Sequence, residues 1–116
     1  MNKFEFNPIT GDFDLVGEYQ KTIEDIDSRR AGGYISLSSD KFYRITLSGD
    51  LTVYMERHPD NILRSYDLAI ITNSIVRTIA FPEEIIWIKD LQLRTNCRYD
   101  IVIEDNVAVW SEIPLT

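Results

Sequence analysis

Lys41-Phe42-Tyr43-Arg44-Ile45-Thr46-Leu47-Ser48-Gly49-Asp50-Leu51-Thr52-Val53-Tyr54-Met55 is the stretch on which the reading of the fold turns. Tyr43, Ile45 and Leu47 share one face of an extended chain, and Arg44 and Thr46 share the other. Leu51, Val53 and Met55 alternate in the same way with Thr52, Tyr54 and Glu56. Ser48-Gly49-Asp50 between them has turn chemistry, so the two half-buried strands are expected to pair as a hairpin.

The same grammar continues toward the C-terminus. A polar loop, His58-Pro59-Asp60-Asn61, precedes Tyr66-Asp67-Leu68-Ala69-Ile70-Ile71-Thr72, and after Asn73-Ser74 the run Ile75-Val76-Arg77-Thr78-Ile79-Ala80-Phe81 follows. Their β-branched density predicts a second hairpin, closed by Pro82, which lacks a ladder donor. Ile85-Ile86-Trp87-Ile88 reads as a short strand with Trp87 partly buried. Arg98-Tyr99-Asp100-Ile101-Val102-Ile103-Glu104 and Val107-Ala108-Val109-Trp110-Ser111 form a last pair, joined by Asp105-Asn106, whose side chains tolerate left-handed backbone. Short strands at this spacing, with no long amphipathic helix between them, predict an all-β domain: an antiparallel β-sandwich or partly closed, jelly-roll-like barrel. Its expected core is Tyr43, Ile45, Leu47, Leu51, Val53, Ile79, Phe81, Tyr99, Ile101, Ile103, Val107 and Val109.

Residues 1–33 have a different texture. Phe4-Glu5-Phe6 and Asp12-Phe13-Asp14-Leu15-Val16 flank the turn-rich Asn7-Pro8-Ile9-Thr10-Gly11 and are expected to close a small hairpin. From Glu18 to Gly33 the chain is polar, with Ile23 and Ile26 its only sizeable aliphatics. The division expected is an extended N-terminal arm and linker over 1–33 and a sheet domain over 34–116, with the boundary at Gly32-Gly33. An isolated two-stranded hairpin is marginal in water, so Phe4, Phe6, Phe13, Leu15 and Val16 of the arm are expected to bury themselves against a partner.

Composition narrows the function classes. With 116 residues and 44% apolar content, the chain supports one modest core. Twelve basic against nineteen acidic residues leave a net charge of −7, which disfavours a nucleic-acid partner that needs phosphate neutralisation. No run approaches the ~20 apolar residues of a membrane span, and Met1-Asn2-Lys3-Phe4-Glu5-Phe6 lacks a signal-peptide core; an intracellular folding environment is the expectation. Cys97, the single cysteine, allows no intramolecular disulfide and no cysteine zinc cage.

A catalytic constellation is not evident. His58, the one histidine, precedes Pro59 in a polar loop and reads as a solvated turn residue rather than a base. Cys97 has Arg94 and Arg98 nearby, which would lower a thiol pKa, yet a lone Cys without a motif reads as a packing residue. The acidic pairs Asp12/Asp14 and Asp25/Asp27 lack the further ligands of a calcium loop. No phosphate-cradling glycine loop is present. The expectation is therefore no enzyme, no metal and no cofactor. Tyr54 and Trp110, placed opposite the expected core residues, are the candidate exposed aromatics for stacking on sugars or partners.

Phe6-Asn7-Pro8-Ile9-Thr10-Gly11-Asp12-Phe13-Asp14-Leu15-Val16 resembles the opening phrase of tail, fibre and other virion appendage proteins of bacteriophages. Ile45-Thr46-Leu47-Ser48-Gly49-Asp50-Leu51-Thr52-Val53, Ile79-Ala80-Phe81-Pro82, Ile85-Ile86-Trp87, and Tyr99-Asp100-Ile101-Val102-Ile103 with Val109-Trp110 are similar to a β-domain pattern of fibre-associated proteins. The resemblance implies a small virion component, such as a capsid decoration protein, an adaptor or a fibre-attachment module. Its implied partners are other virion subunits of capsid or tail, with a homo-oligomer such as a trimer among the assemblies. A carbohydrate-binding module that uses exposed aromatics on host-surface glycans is the alternative.

Overall fold

The computed structural model describes residues 21–56 and 64–115, together with the backbone of 5–7 and 12–14. The described elements are eleven β-strands and no helix, hence no helix long and apolar enough to cross a membrane. They are β1 (Glu5–Asn7), β2 (Asp12–Asp14), β3 (Thr22–Asp27), β4 (Tyr34–Leu37), β5 (Lys41–Thr46), β6 (Leu51–Met55), β7 (Ser65–Ile71), β8 (Ile79–Ala80), β9 (Ile86–Trp87), β10 (Cys97–Glu104) and β11 (Val107–Pro114). The all-β expectation is met, but with mixed rather than antiparallel sheets.

A six-stranded sheet has the order β3-β5-β7-β10-β11-β9, and a three-stranded sheet has the order β4-β6-β8. β3, β5 and β7 run parallel, and so do β4, β6 and β8. The chain therefore makes three stacked passes, each laying one strand in the large sheet and the next in the small one. Only at β7, β10 and β11 does the large sheet become antiparallel, with β9 returning parallel on the far edge of β11. Both sheets turn one face to a common core: Tyr43, Ile45, Leu68, Ile70, Tyr99, Ile101, Ile103 and Ala108 come from the large sheet, and Ile35, Leu37, Leu51 and Val53 from the small one.

The expected hairpin of 41–47 with 51–55 is not formed. β5 and β6 lie in different sheets, and Ser48-Gly49-Asp50 is a corner between them. A tight hairpin turn of type I′ needs left-handed backbone, and none of these three residues has a positive φ. The corner is instead held by the pass before it: the Ser28 hydroxyl, fully buried, accepts N–H bonds from Ser48 and Gly49, each at 2.9 Å, and donates to the Gly49 carbonyl at 2.9 Å. The second expected hairpin fails for the same reason, since β7 and β8 also belong to separate sheets. Asp50 Oδ1 accepts the Thr78 N–H at 2.9 Å, tying the second corner to the third.

Two further expectations are corrected. Residues 22–27, read as linker, form β3 and pair with β5 from Thr22↔Lys41 to Asp27↔Thr46, so the sheet begins before Gly32-Gly33. That dipeptide is a corner, with φ of 81° and 87° in the left-handed region that glycine allows. In β11 the faces are exchanged: Ala108 is fully buried and Trp110 half-buried, whereas Val107 is half-buried and Val109 exposed. The cause is the two-residue turn. Glu104 pairs with Val107, which sets Ile103 opposite Ala108 and Ile101 opposite Trp110, and directly opposed residues share a face. The last hairpin itself is present as expected, with Asp105 and Asn106 at φ of 52° and 62°, and Trp87 is half-buried in the short β9.

Candidate interaction surface

The sheet face opposite the core is where the register has its functional consequence. Val102 pairs with Val109, and Val107 with Ile86. Ile88 donates its N–H to the Ala108 carbonyl at 3.1 Å, which continues the β9 ladder and sets Ile88 beside Val109. Strands in a sheet lie ~4.8 Å apart, so these side chains form one continuous aliphatic strip across β9, β11 and β10. They are open to solvent: Ile86 is 61% exposed, Ile88 68%, Val109 48% and Val102 40%. β11 reads Val-Ala-Val-Trp because both of its faces are apolar, and only one of them is needed for the core.

Charge is distributed unevenly around the strip. Across β10, Asp67 follows Val102 in the row and is neutralised by Lys21 at 2.7 Å. Nearby, Arg98 pairs with Asp100 at 2.8 Å, and farther along the sheet Arg44 grips Asp25 through Nε and Nη2 at 2.7 and 3.0 Å. This hydrogen-bonded guanidinium holds the Asp25 carboxyl below the usual carboxylate range. At the opposite end the Ile86 N–H bonds to the Asn106 carbonyl at 2.7 Å, bringing the 83–84 turn to the tip of the β10–β11 hairpin. Glu83, Glu84, Glu104 and Asp105 gather there, all exposed and without an ion-pair partner among the described residues.

The candidate aromatics separate. Tyr54 is exposed, and its ring meets that of Tyr34 edge-on, with centroids 6.3 Å apart. The pair stands on the outer face of the small sheet with Ser36 and Thr52 between them by register. Tyr34 escaped the sequence reading because it abuts Gly33, where the linker was expected to end. Trp110 lies on the core side instead: its ring packs 5.7 Å from that of Tyr99, its Nε1–H donates to the Lys89 carbonyl at 2.7 Å, and the Lys89 ammonium sits 5.1 Å from the ring centroid. A separate open cleft of about 550 Å³ is lined by Arg77, Ile79, Phe81, Glu83, Trp87 and Asp90, among others, with Phe81 and Trp87 in edge-to-face contact at 5.0 Å.

The groups weighed for chemistry are occupied structurally. Cys97 is buried, with its N–H bonded to Thr72 Oγ1 at 2.9 Å. Asp25 and Asp27 do not act together: Asp25 serves Arg44, while Asp27 Oδ1 accepts N–H bonds from Arg29 and Arg30 and the Ser48 hydroxyl at 2.5 Å. Those donors, Ser48 first, hold the Asp27 carboxyl below the ordinary range. The Tyr99 hydroxyl accepts the Arg94 N–H at 2.5 Å and donates to Glu112 at 2.6 Å; burial, reinforced by the Glu112 bond, raises its pKa. Among the described residues no three His, Cys, Asp or Glu side chains are grouped to hold a metal ion. β1 and β2 form the small hairpin expected of residues 4–16, with Phe6 opposite Phe13. Phe4, Leu15, Val16 and His58 lie outside the described residues, as do the side chains of Phe6, Asp12, Phe13 and Asp14.

Comparison with known proteins finds no match, whether to a family model, a curated protein or a solved structure.

Proposed function

We propose that the protein is a structural module of a bacteriophage virion, a small decoration, adaptor or fibre-attachment protein that binds other virion subunits and catalyses no reaction. The observation that carries this reading is the aliphatic strip of Ile86, Ile88, Val102 and Val109 on a sheet face that the core does not use. Contiguous apolar patches on an otherwise polar surface mark interaction sites, and full burial of such side chains stabilises a contact by roughly 1.5 to 3 kcal/mol each before association costs. The resemblance of the N-terminal phrase to virion appendage proteins supplies the virion context. In this reading a sandwich-like scaffold presents the strip, and the N-terminal arm, through Phe4, Phe6, Phe13, Leu15 and Val16, is a second anchor. Homo-oligomers such as a trimer remain among its assemblies. Val109→Lys should leave the fold intact and abolish incorporation into particles; normal copy number in particles carrying this variant would overturn the reading of the strip. Deleting residues 1–16 tests the arm in the same assay.

The Tyr34–Tyr54 pair, flanked by Ser36 and Thr52 hydroxyls, favours a second reading as a carbohydrate-binding module for host-surface glycans. Glycan-array binding lost in Tyr54→Ala would support it, and an array without signal would dismiss it.

A further inference from the structure

We infer that the strip on β9, β11 and β10 takes a partner subunit presenting an apolar ridge flanked by Lys and Arg, and not a second copy of this chain. The inference rests on the assembly reading above and adds the chemistry of the partner. Ile86, Ile88, Val102 and Val109 supply the apolar centre. Glu83, Glu84, Glu104 and Asp105 crowd one end of it, drawn together by the bond of Ile86 to Asn106. No ion pair cancels them among the described residues: Lys21 is engaged with Asp67 and Arg98 with Asp100, Lys89 leans over Trp110 on the core side of the sheet, and Arg77, which shares a cleft lining with Glu83, makes no ion pair with it. An apolar strip with an unneutralised acidic end is complementary to an apolar ridge with a basic end.

A second copy fits poorly on electrostatic grounds. In a two-fold contact each patch meets itself, so the four carboxylates of one protomer would be drawn into a shared interface with four more, between two chains each carrying −7. Like charges brought together at an interface oppose association and suppress the wrong partner. The charge pattern thus works in two directions at this face, attracting a basic subunit and opposing a two-fold contact of copies through the strip, so that a homo-oligomer would form through other surfaces.

The test uses the full chain and two short peptides, one alternating Val with Lys and one alternating Val with Glu, followed by amide chemical shifts. The expected result is that the Val–Lys peptide perturbs Ile86, Ile88, Val102, Val109 and the hairpin tip, with affinity falling at least about tenfold between low salt and roughly 0.5 M. The Val–Glu peptide should not bind, and the triple variant Glu83→Lys, Glu84→Lys, Glu104→Lys should reverse the preference. Equal binding of both peptides, or an unchanged preference in the triple variant, overturns the inference. Concentration-dependent shifts of the same residues without peptide would overturn it too, by showing that the occupant is a second copy. If Val109→Lys blocks particle incorporation while the peptides are not distinguished, the assembly reading stands and the partner chemistry fails.

Discussion

The stacked passes of β3 to β8 and the hairpin of β10 and β11 are built from similar sequence, short alternating runs separated by polar breaks, yet they connect in opposite ways. At Asp105-Asn106 the chain turns back beside itself in the same sheet, with both turn residues in the left-handed region. At Ser48-Gly49-Asp50 it crosses to the facing sheet, with no left-handed residue, and its N–H groups are received by Ser28 of the preceding pass. A turn signal shows where a strand ends. Backbone hand alone does not decide whether the chain returns or crosses, since Gly32-Gly33 crosses between the sheets with two left-handed residues; at Ser48-Gly49-Asp50 the acceptor offered by the neighbouring pass holds the crossing.

The largest expected effect tests whether the two regions are one cooperative unit. Ile45 in β5 and Ile101 in β10 are 0% and 1% exposed and belong to the same core. Ile45→Asp and Ile101→Asp each bury an unpaired carboxylate, a cost of several kcal/mol against a total stability of roughly 5 to 15 kcal/mol. Both should abolish all tertiary structure by near-ultraviolet circular dichroism. Loss confined to one region would divide the domain in two.

Ser28→Ala acts on the stack alone. It strips the acceptor from the Gly49 N–H, while the Ser48 N–H keeps the Thr46 carbonyl at 3.0 Å, and should lower stability by about 2 kcal/mol, since an orphaned buried donor costs roughly 1 to 3 kcal/mol. Urea denaturation should show a lower midpoint at unchanged slope. An unmoved midpoint would mean that Ser28 does not hold the corner.

Glycine and asparagine substitutions sharpen the contrast between corner and turn. Asn106→Ala places an ordinary side chain at φ of 62° and should cost about 1 kcal/mol. Gly49 has no positive φ, and a Cβ there would meet Arg29 Cβ at an ordinary 3.9 Å, so Gly49→Ala should be neutral or stabilising by up to about 1 kcal/mol. Marked destabilisation by Gly49→Ala would restore the hairpin reading of 41–55.

The smallest effect is a pH dependence of the corner. Asp27 has its folded pKa depressed, chiefly by the Ser48 hydroxyl and then by the Arg30 N–H. Its contribution is thus fully present above the unfolded value of about 3.9 and is lost as pH falls through the folded value. Below about pH 4, the melting temperature should fall less steeply in Asp27→Asn than in the parent chain. Identical slopes would show that Asp27 does not contribute to acid sensitivity.

Strand positions were legible throughout 41–55 and 97–111 because period-two alternation is local. Tyr43, Ile45, Leu47, Leu51, Val53, Tyr99, Ile101 and Ile103 are all buried as read. Within the two larger sheets, pairing was legible only at the β10–β11 hairpin, where partners adjoin in sequence. Tyr43 pairs instead with Leu68, and Ile35 with Val53, and no local pattern carries such contacts. β3 was hidden because Thr22-Ile23-Glu24-Asp25-Ile26-Asp27 is an edge strand in which Glu24 and Asp25 pair with Lys41 and Arg44, which makes it read as polar linker. The strip was hidden for the opposite reason, since Val107 to Trp110 is apolar at every position and alternation cannot tell its inner face from its outer one.

The account depends most on that choice of face, and a paired melting experiment on Ala108→Lys and Val109→Lys tests it directly. Ala108 is fully buried beside Ile103, and Val109 is 48% exposed. Ala108→Lys should fail to fold while Val109→Lys melts within a degree or so of the parent chain. The reverse outcome, a folded Ala108→Lys and an unfolded Val109→Lys, would contradict the register and remove the interaction surface with it.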